Sequence, residues 1–170
     1  LLIIRLDAIG DYILFRNSLQ AIKESPRFKK YSFSLLGNVL WSDLAEKLDR
    51  DTIDHFTWIN PSILYNRDSY SFSKLRLLLT LKFKGFKVII HPVHSRMLDI
   101  DFFISGLGIP ERIASTGDDI NYNSGEKEIA DALYTSLIPV TDTSVFEFLR
   151  NRQFVAEITE GDSPDLKLTI

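Results

Sequence analysis

The chain has 170 residues, 45% of them apolar and 25% charged, enough for one domain with a real core and unlike a disordered chain. Its 20 Lys and Arg against 23 Asp and Glu leave a net charge of -3, which offers no general attraction to nucleic acid. With no cysteine, disulfides and thiolate metal sites are excluded, a composition that fits a reducing compartment.

Leu1, Leu2, Ile3 and Ile4 form an apolar run too short for a membrane span and right for a strand buried on both faces. Arg5 and Leu6 lead out of it. Residues 7–11 make a tight turn, and residues 11–23 read as a helix with Ile13, Leu14, Leu19 and Ile22 able to share an inward face. Gly10 falls where the backbone bends and a Cβ would clash. Asp11 falls in the first helical turn, near the positive end of the helix dipole. Pro26 ends the helix.

Residues 31–36 alternate as a second strand, Gly37 and Asn38 turn the chain, and residues 39–48 form a second helix. Residues 53–59 read as a third strand and residues 60–68 as a polar loop broken by Pro61. A leucine-rich helix over 71–83 carries Lys74, Arg76 and Lys82, with Lys84 beyond it, and Gly85 stops it. The strand at 87–90 exits through His91, Pro92, Val93, His94, Ser95 and Arg96. Residues 97–107 return as a helix closed by Gly108 and Pro110, and residues 112–115 form a short strand. Residues 117–126 are a glycine-punctuated surface loop, 144–158 a last helix and 161–165 a linker.

This alternation predicts an α/β fold, a Rossmann-like parallel sheet flanked by helices over residues 1–160. In such sheets ligands bind at the carboxyl ends of the strands, where the first turn lies. The chain opens inside a strand, and residues 166–170 resemble a new one, so the sequence reads as a fragment whose residues 161–170 lead toward a further domain. No apolar run approaches the roughly 18 residues of a bilayer span, and no basic n-region marks a signal peptide.

Ile3-Ile4-Arg5-Leu6-Asp7-Ala8-Ile9-Gly10-Asp11 resembles the opening of the family 9 glycosyltransferases, the heptosyltransferases of lipopolysaccharide synthesis. Those enzymes begin with an apolar strand, a basic residue, a short turn and Gly-Asp. Residues 85–121 are similar in layout to the family's middle: Val88-Ile89-Ile90 as a strand, residues 91–96 as its exit loop, then a helix, Arg112-Ile113 and Gly117-Asp118. The resemblance implies the GT-B architecture, two Rossmann-like domains facing across a cleft, with this chain as the amino-terminal, acceptor-side half. It implies an inverting transfer from a nucleotide diphosphate sugar such as ADP-heptose to an anionic glycolipid acceptor, with no cofactor and no metal. It also implies a carboxyl-terminal domain that binds the donor, and a cytoplasmic location, peripheral at the inner face of the membrane.

By position, the catalytic base falls on Asp11, since a carboxylate within reach of an acceptor hydroxyl makes it more nucleophilic. By residue statistics alone an Asp at a helix start is a cap. Asp7 is the second carboxylate, read as a turn residue. Arg5, Arg16 and Arg96 are candidate anion binders, because guanidinium engages carboxylate and phosphate with paired hydrogen bonds. Arg5 has the alternative of an ion pair with Asp7 or Asp11, and Arg16 that of a solvated helix position. His94 and Ser95 share the exit loop with Arg96, and an imidazole there suits a sugar hydroxyl or a donor phosphate. His91 reads as a loop histidine paired with backbone and His55 as structural. Asp99-Ile100-Asp101 spells the DxD of metal-dependent glycosyltransferases of another fold, but its helical setting predicts carboxylates turned to solvent. The basic helix suits an anionic membrane surface or a solvated face equally. Phe146, Phe148, Leu149, Phe154 and Val155 pack on the sheet or meet a second domain. The alternative reading is a Rossmann-like module that binds a nucleotide, a sugar or a partner protein and catalyses nothing. A nicotinamide enzyme lacks its G-x-G-x-x-G here, and a P-loop enzyme lacks its G-x-x-x-x-G-K-[ST].

Overall fold

The computed structural model describes residues 1–65, 71–139 and 146–161. In chain order the elements are β1 (Leu2–Arg5), α1 (Ile9–Glu24), β2 (Ser34–Asn38), α2 (Ser42–Leu48), β3 (His55–Ile59), α3 (Phe72–Lys82) and β4 (Val88–His91). They continue with α4 (Leu98–Gly106), β5 (Glu111–Ser115), α5 (Glu126–Ala132), β6 (Ser136–Ile138) and α6 (Glu147–Ile158). Short 3-10 turns occupy Val39–Trp41 and Pro61–Ile63.

Among the described residues the six strands are all parallel, in the order β3-β2-β1-β4-β5-β6. β1 is therefore central, and its four residues are buried, as a strand covered on both faces requires. Ile3 points into one core layer with Tyr12, Phe15, Leu19, Leu35, Ile90, Ile113 and Phe154, which places α1 and α6 on that face. Leu2 and Ile4 point into the other with Leu36, Leu81, Ile89, Phe103 and Ile104, which places α3 and α4 there. The two-residue period of the strand thus sorts its side chains between the two layers.

The strand order reverses direction between β1 and β4, so the loops leaving those two strands diverge and open a crevice at their carboxyl ends. Residues 6–8 follow β1 and residues 92–97 follow β4 at that end of the sheet.

Several sequence expectations move. The turn at residues 7–11 is shorter than expected, because α1 already begins at Ile9 with Ala8 as an N-cap that offers no side-chain bond. Gly10 is consequently helical; a Cβ there meets nothing within 4 Å, so no steric demand accounts for that glycine. Gly37 and Asn38 end β2 instead of turning the chain. His91 closes β4 rather than opening the loop, and α5 and β6 occupy a stretch read as loop or left unassigned. The strand expected at 166–170, most of the linker at 161–165, the last part of the polar loop at 60–68 and the first residues of the 144–158 helix lie outside the described residues.

Candidate functional site

The loop after β1 is tied down from both sides of the crevice. On the β2 side, the Asn38 amide donates to the carbonyls of Leu6 (3.2 Å) and Asp7 (3.4 Å), and Trp41 Nε1 donates to Asp7 O (3.1 Å). Trp41 stacks on Tyr12 with ring centroids 4.1 Å apart and planes 8° apart. Gly37 makes room for this arrangement, since a Cβ there would lie 2.3 Å from Trp58 and 2.7 Å from Trp41. Asn38 was read from sequence only as a turn residue and Trp41 was not singled out; the available signal was a polar residue and an indole at the carboxyl end of the second strand.

Arg5 holds the same loop from beneath. Its guanidinium takes the Asp7 carboxylate with both oxygens, through Nε at 3.1 Å and Nη2 at 3.0 Å. It also donates to Asp11 O at 3.2 Å and Pro92 O at 3.4 Å, bridging the two loops of the crevice. Asn151 Oδ1 lies at 3.5 Å, Glu147 at 3.6 Å and the Phe15 ring 4.7 Å below. With 1% of Arg5 exposed, these groups surround it, and the expected anion binder is a clamp on the Asp7 turn in this structure. Burial raises the pKa of Asp7, with Arg5 opposing the shift and Asp11 adding to it.

Asp11 sits in the first turn of α1 and is partly exposed. Its carboxylate accepts no hydrogen bond among the described residues, so it is not the helix cap that residue statistics favour. Asp11 thus contrasts with its neighbour Asp7, whose carboxylate Arg5 holds. Arg16, a candidate anion binder with a solvated helix position as its alternative, instead holds Asp49 at 3.2 and 2.9 Å, beside the Tyr12 hydroxyl that bonds the same carboxylate.

Across the crevice, His94 is buried, with Nε2 3.6 Å from Asp118 Oδ2 and Nδ1 without a partner. Burial, then Arg150, lowers its pKa, against Asp118 and Glu147, which keeps the ring neutral near pH 7. Ser95 Oγ donates to Asp118 Oδ2 at 2.7 Å, and Asn121 donates to Ser95 O at 3.0 Å. Gly117, at φ +64°, lets the loop after β5 press on the His94 carbonyl, which would sit 2.0 Å from a Cβ there. Glu147 and Arg150, paired at 2.6 Å at the start of α6, link the Arg5 clamp to His94.

Arg96 does not reach the crevice. It is 1% exposed and bonded to Asp131 and to Thr116 O (3.2 Å), 3.5 Å from Asp101, over the Tyr134 ring at 4.9 Å. Asp101, expected at the surface, is fully buried because it shares the inward face of α4 with Leu98 and Ile104. The hydroxyls of Tyr122 (2.7 Å) and Tyr134 (2.5 Å) donate to it. His91 Nδ1 lies 2.8 Å from the Tyr134 oxygen. Burial, then Arg96 and Arg5, hold the His91 pKa well below its usual value, so its ring is neutral and Nδ1–H donates to Tyr134. Arg96, His91 and Asp101 are thus parts of a buried network, not a ligand site or a DxD metal motif. Among the described residues no group of three His, Asp or Glu could hold a metal ion. His55 is exposed at the start of β3, on the opposite rim.

No protein-family model matches the chain, and no curated protein sequence matches it significantly. Two solved structures do. A glycosyl transferase family 9 protein from Veillonella parvula superposes with a TM-score of 0.67 at 11% identity over 98% of this chain and 42% of its own. ADP-heptose lps heptosyltransferase II from E. coli superposes with a TM-score of 0.65 at 14% identity over 99% of this chain and 46% of its own. The chain therefore spans less than half the length of the transferases it matches, and at these identities the likeness establishes a shared fold. That fold is the Rossmann-like parallel sheet that the alternation of strands and helices predicts.

Proposed function

We propose that this chain is the acceptor-side half of an inverting, family 9-type glycosyltransferase, which moves a heptose-like sugar from a nucleotide diphosphate donor to a lipopolysaccharide-type acceptor. Asp11 is the general base. What supports this reading is that Asp11 lies in the first turn of α1, just beyond the carboxyl end of β1, partly exposed and with no hydrogen bond to its carboxylate among the described residues. In the reaction Asp11 takes the proton of the acceptor hydroxyl as that oxygen attacks the anomeric carbon. The bond from that carbon to the donor phosphate breaks, and the nucleotide diphosphate leaves with the electron pair. One displacement with one base inverts the anomeric centre.

The chain's other residues set up that step. The Arg5–Asp7 pair, Asn38 and Trp41 fix the loop from which α1 departs, and so fix where Asp11 stands. Ser95 and the neutral His94 edge the opposite wall and offer hydrogen bonds to sugar hydroxyls. The donor is held by the part of the full-length protein that this chain lacks. In the full-length protein, Asp11→Asn should lower turnover by about 10²–10⁴-fold and leave the melting temperature unchanged, because no internal bond is lost. Near-normal transfer would remove Asp11 from the chemistry.

A second reading has one observation in its favour. Arg5 and Arg96, the groups expected to bind anionic substrate, are both buried in internal pairs. A Rossmann-like module that binds a neutral sugar without transferring it would look the same. A full-length protein that binds sugar but never consumes a nucleotide sugar would establish that alternative.

A further inference from the structure

The amino ends of β2 and β3 carry a second group of polar side chains, at the pole of the sheet opposite the β1–β4 crevice. Ser34 and His55 open those two strands and are partners in register. Ser34 lies two residues before Leu36, which points into the core layer beneath α3, so its side chain faces the same side. There it meets Lys84 and Phe86 from the connection between α3 and β4, and with Ser32 these residues line a cavity of about 330 Å³. The polar groups in the cavity are unspent. Ser34 is 4% exposed, yet its hydroxyl has no partner among the described residues; nor have the His55 ring and the Lys84 ammonium. Ser32 differs, since its hydroxyl donates to Asp54 Oδ2 at 3.1 Å. Asp54, the neighbouring acid, is also held by Phe33 N at 2.7 Å and Lys23 at 3.3 Å. A hydroxyl withdrawn from water and left unpaired is costly, so a buried serine in the wall of a cavity marks a place where another molecule supplies the bond.

We propose that this cavity binds a small phosphate monoester. Its three open groups can all donate: a hydroxyl from β2, an imidazole N–H from β3 and an ammonium from the α3–β4 connection. A phosphate monoester has three terminal oxygens, one for each donor, and its negative charge suits Lys84, the charged residue among the five that line the cavity. A carboxylate has two oxygens and would leave a donor open. A cationic ligand would be repelled by Lys84. Phe86 gives the carbon skeleton an apolar wall, and the volume lies at the small end of the range for ligand sites, about 300–1,000 Å³. Asp11 stands beyond the other ends of the strands, so occupancy here is independent of the proposed transfer.

The test is titration of the isotope-labelled full-length protein with phenyl phosphate, followed by nuclear magnetic resonance, with inorganic phosphate and phenol run in parallel. The signals of Ser34, His55, Lys84 and Phe86 should shift with phenyl phosphate, more weakly with inorganic phosphate and not with phenol. Binding should weaken as salt is raised. Lys84→Ala should weaken it about tenfold and Ser34→Ala about fivefold. Lys47→Ala, which removes an exposed lysine from α2, should leave it unchanged. Both site variants shorten a side chain without adding bulk, and circular dichroism checks that they fold. Silence of these four residues, equal binding of phenol, or full affinity in both site variants overturns the proposal. So does a full-length protein in which another part of the chain fills the cavity. The signals are read at the residues themselves and need no turnover. Binding in a protein that transfers nothing, or transfer in one whose cavity stays empty, therefore separates this inference from the proposed reaction.

Discussion

Two glycines near the crevice illustrate opposite uses of the same residue. Gly10 lies in the first turns of α1, where a Cβ meets open space. Gly10→Ala should therefore raise stability by about 0.5–1 kcal/mol, the usual gain when alanine replaces glycine in a helix. Gly117 combines φ +64° with a Cβ position 2.0 Å from the His94 carbonyl oxygen. Gly117→Ala must strain the backbone and push the two loops apart, at an expected cost of about 2–4 kcal/mol. Urea unfolding of the two variants should move the midpoint in opposite directions. A drop for Gly10→Ala would mean that its backbone is under a constraint that the helix does not show. If Gly10→Ala is stable but transfers poorly, a substrate approaches the backbone there.

At the scale of elements, α4, α5 and β6 are held together by a buried charge network instead of apolar packing alone. Arg96 meets Asp101 from α4 and Asp131 from α5, and Tyr134, just before β6, donates to Asp101. Arg96→Met leaves Asp101 buried without its cation and should cost about 3–5 kcal/mol, whereas Arg96→Met with Asp101→Leu should recover much of that. A double variant no more stable than the single one would mean that the tyrosines, not the charge pair, hold Asp101. The network also explains what the sequence could and could not disclose. The first strand and helix were legible because four consecutive apolar residues and the spacing of Leu19 and Ile22 are what a central strand and its covering helix need. α5 was not, because Glu126, Lys127, Glu128 and Asp131 leave only Ile129 and two alanines as apolar members, and β6 is three residues long. Asp101 was misplaced because a carboxylate on an inward helical face looks like a surface residue until Tyr122, Tyr134 and Arg96, distant in sequence, are brought to it. Asp11 was legible as a helix-start acid. That its carboxylate is unbonded among the described residues is a property of the folded chain.

For the molecule as a whole, the network makes stability depend on pH through a group at its centre. His91 is buried among Tyr134, Asp101, Arg96 and Arg5 and stays neutral, its pKa held well below the ordinary 6.5 by burial and then by the two guanidiniums. The unfolded chain binds a proton at this histidine as pH falls through about 6.5, while the folded chain does not. Its contribution to stability is therefore fully present above 6.5 and is lost below it, with a slope approaching about 1.4 kcal/mol per pH unit. His91→Gln keeps a donor for the Tyr134 oxygen and removes the titration. Between pH 7 and pH 5.5 the parent should lose about 1 kcal/mol more than this variant in urea unfolding. Contributions from His94, whose pKa is also lowered by burial, and from Asp101, whose pKa burial raises, are common to both proteins and cancel in the difference. Parallel loss in the two would show that His91 takes up its proton as readily in the fold as outside it. The ring would then donate from both nitrogens, Tyr134 would still accept at Nδ1, and the buried positive charge would have to be balanced by Asp101, which would make that carboxylate, and not the neutral imidazole, the keystone of the sheet's β4–β6 half.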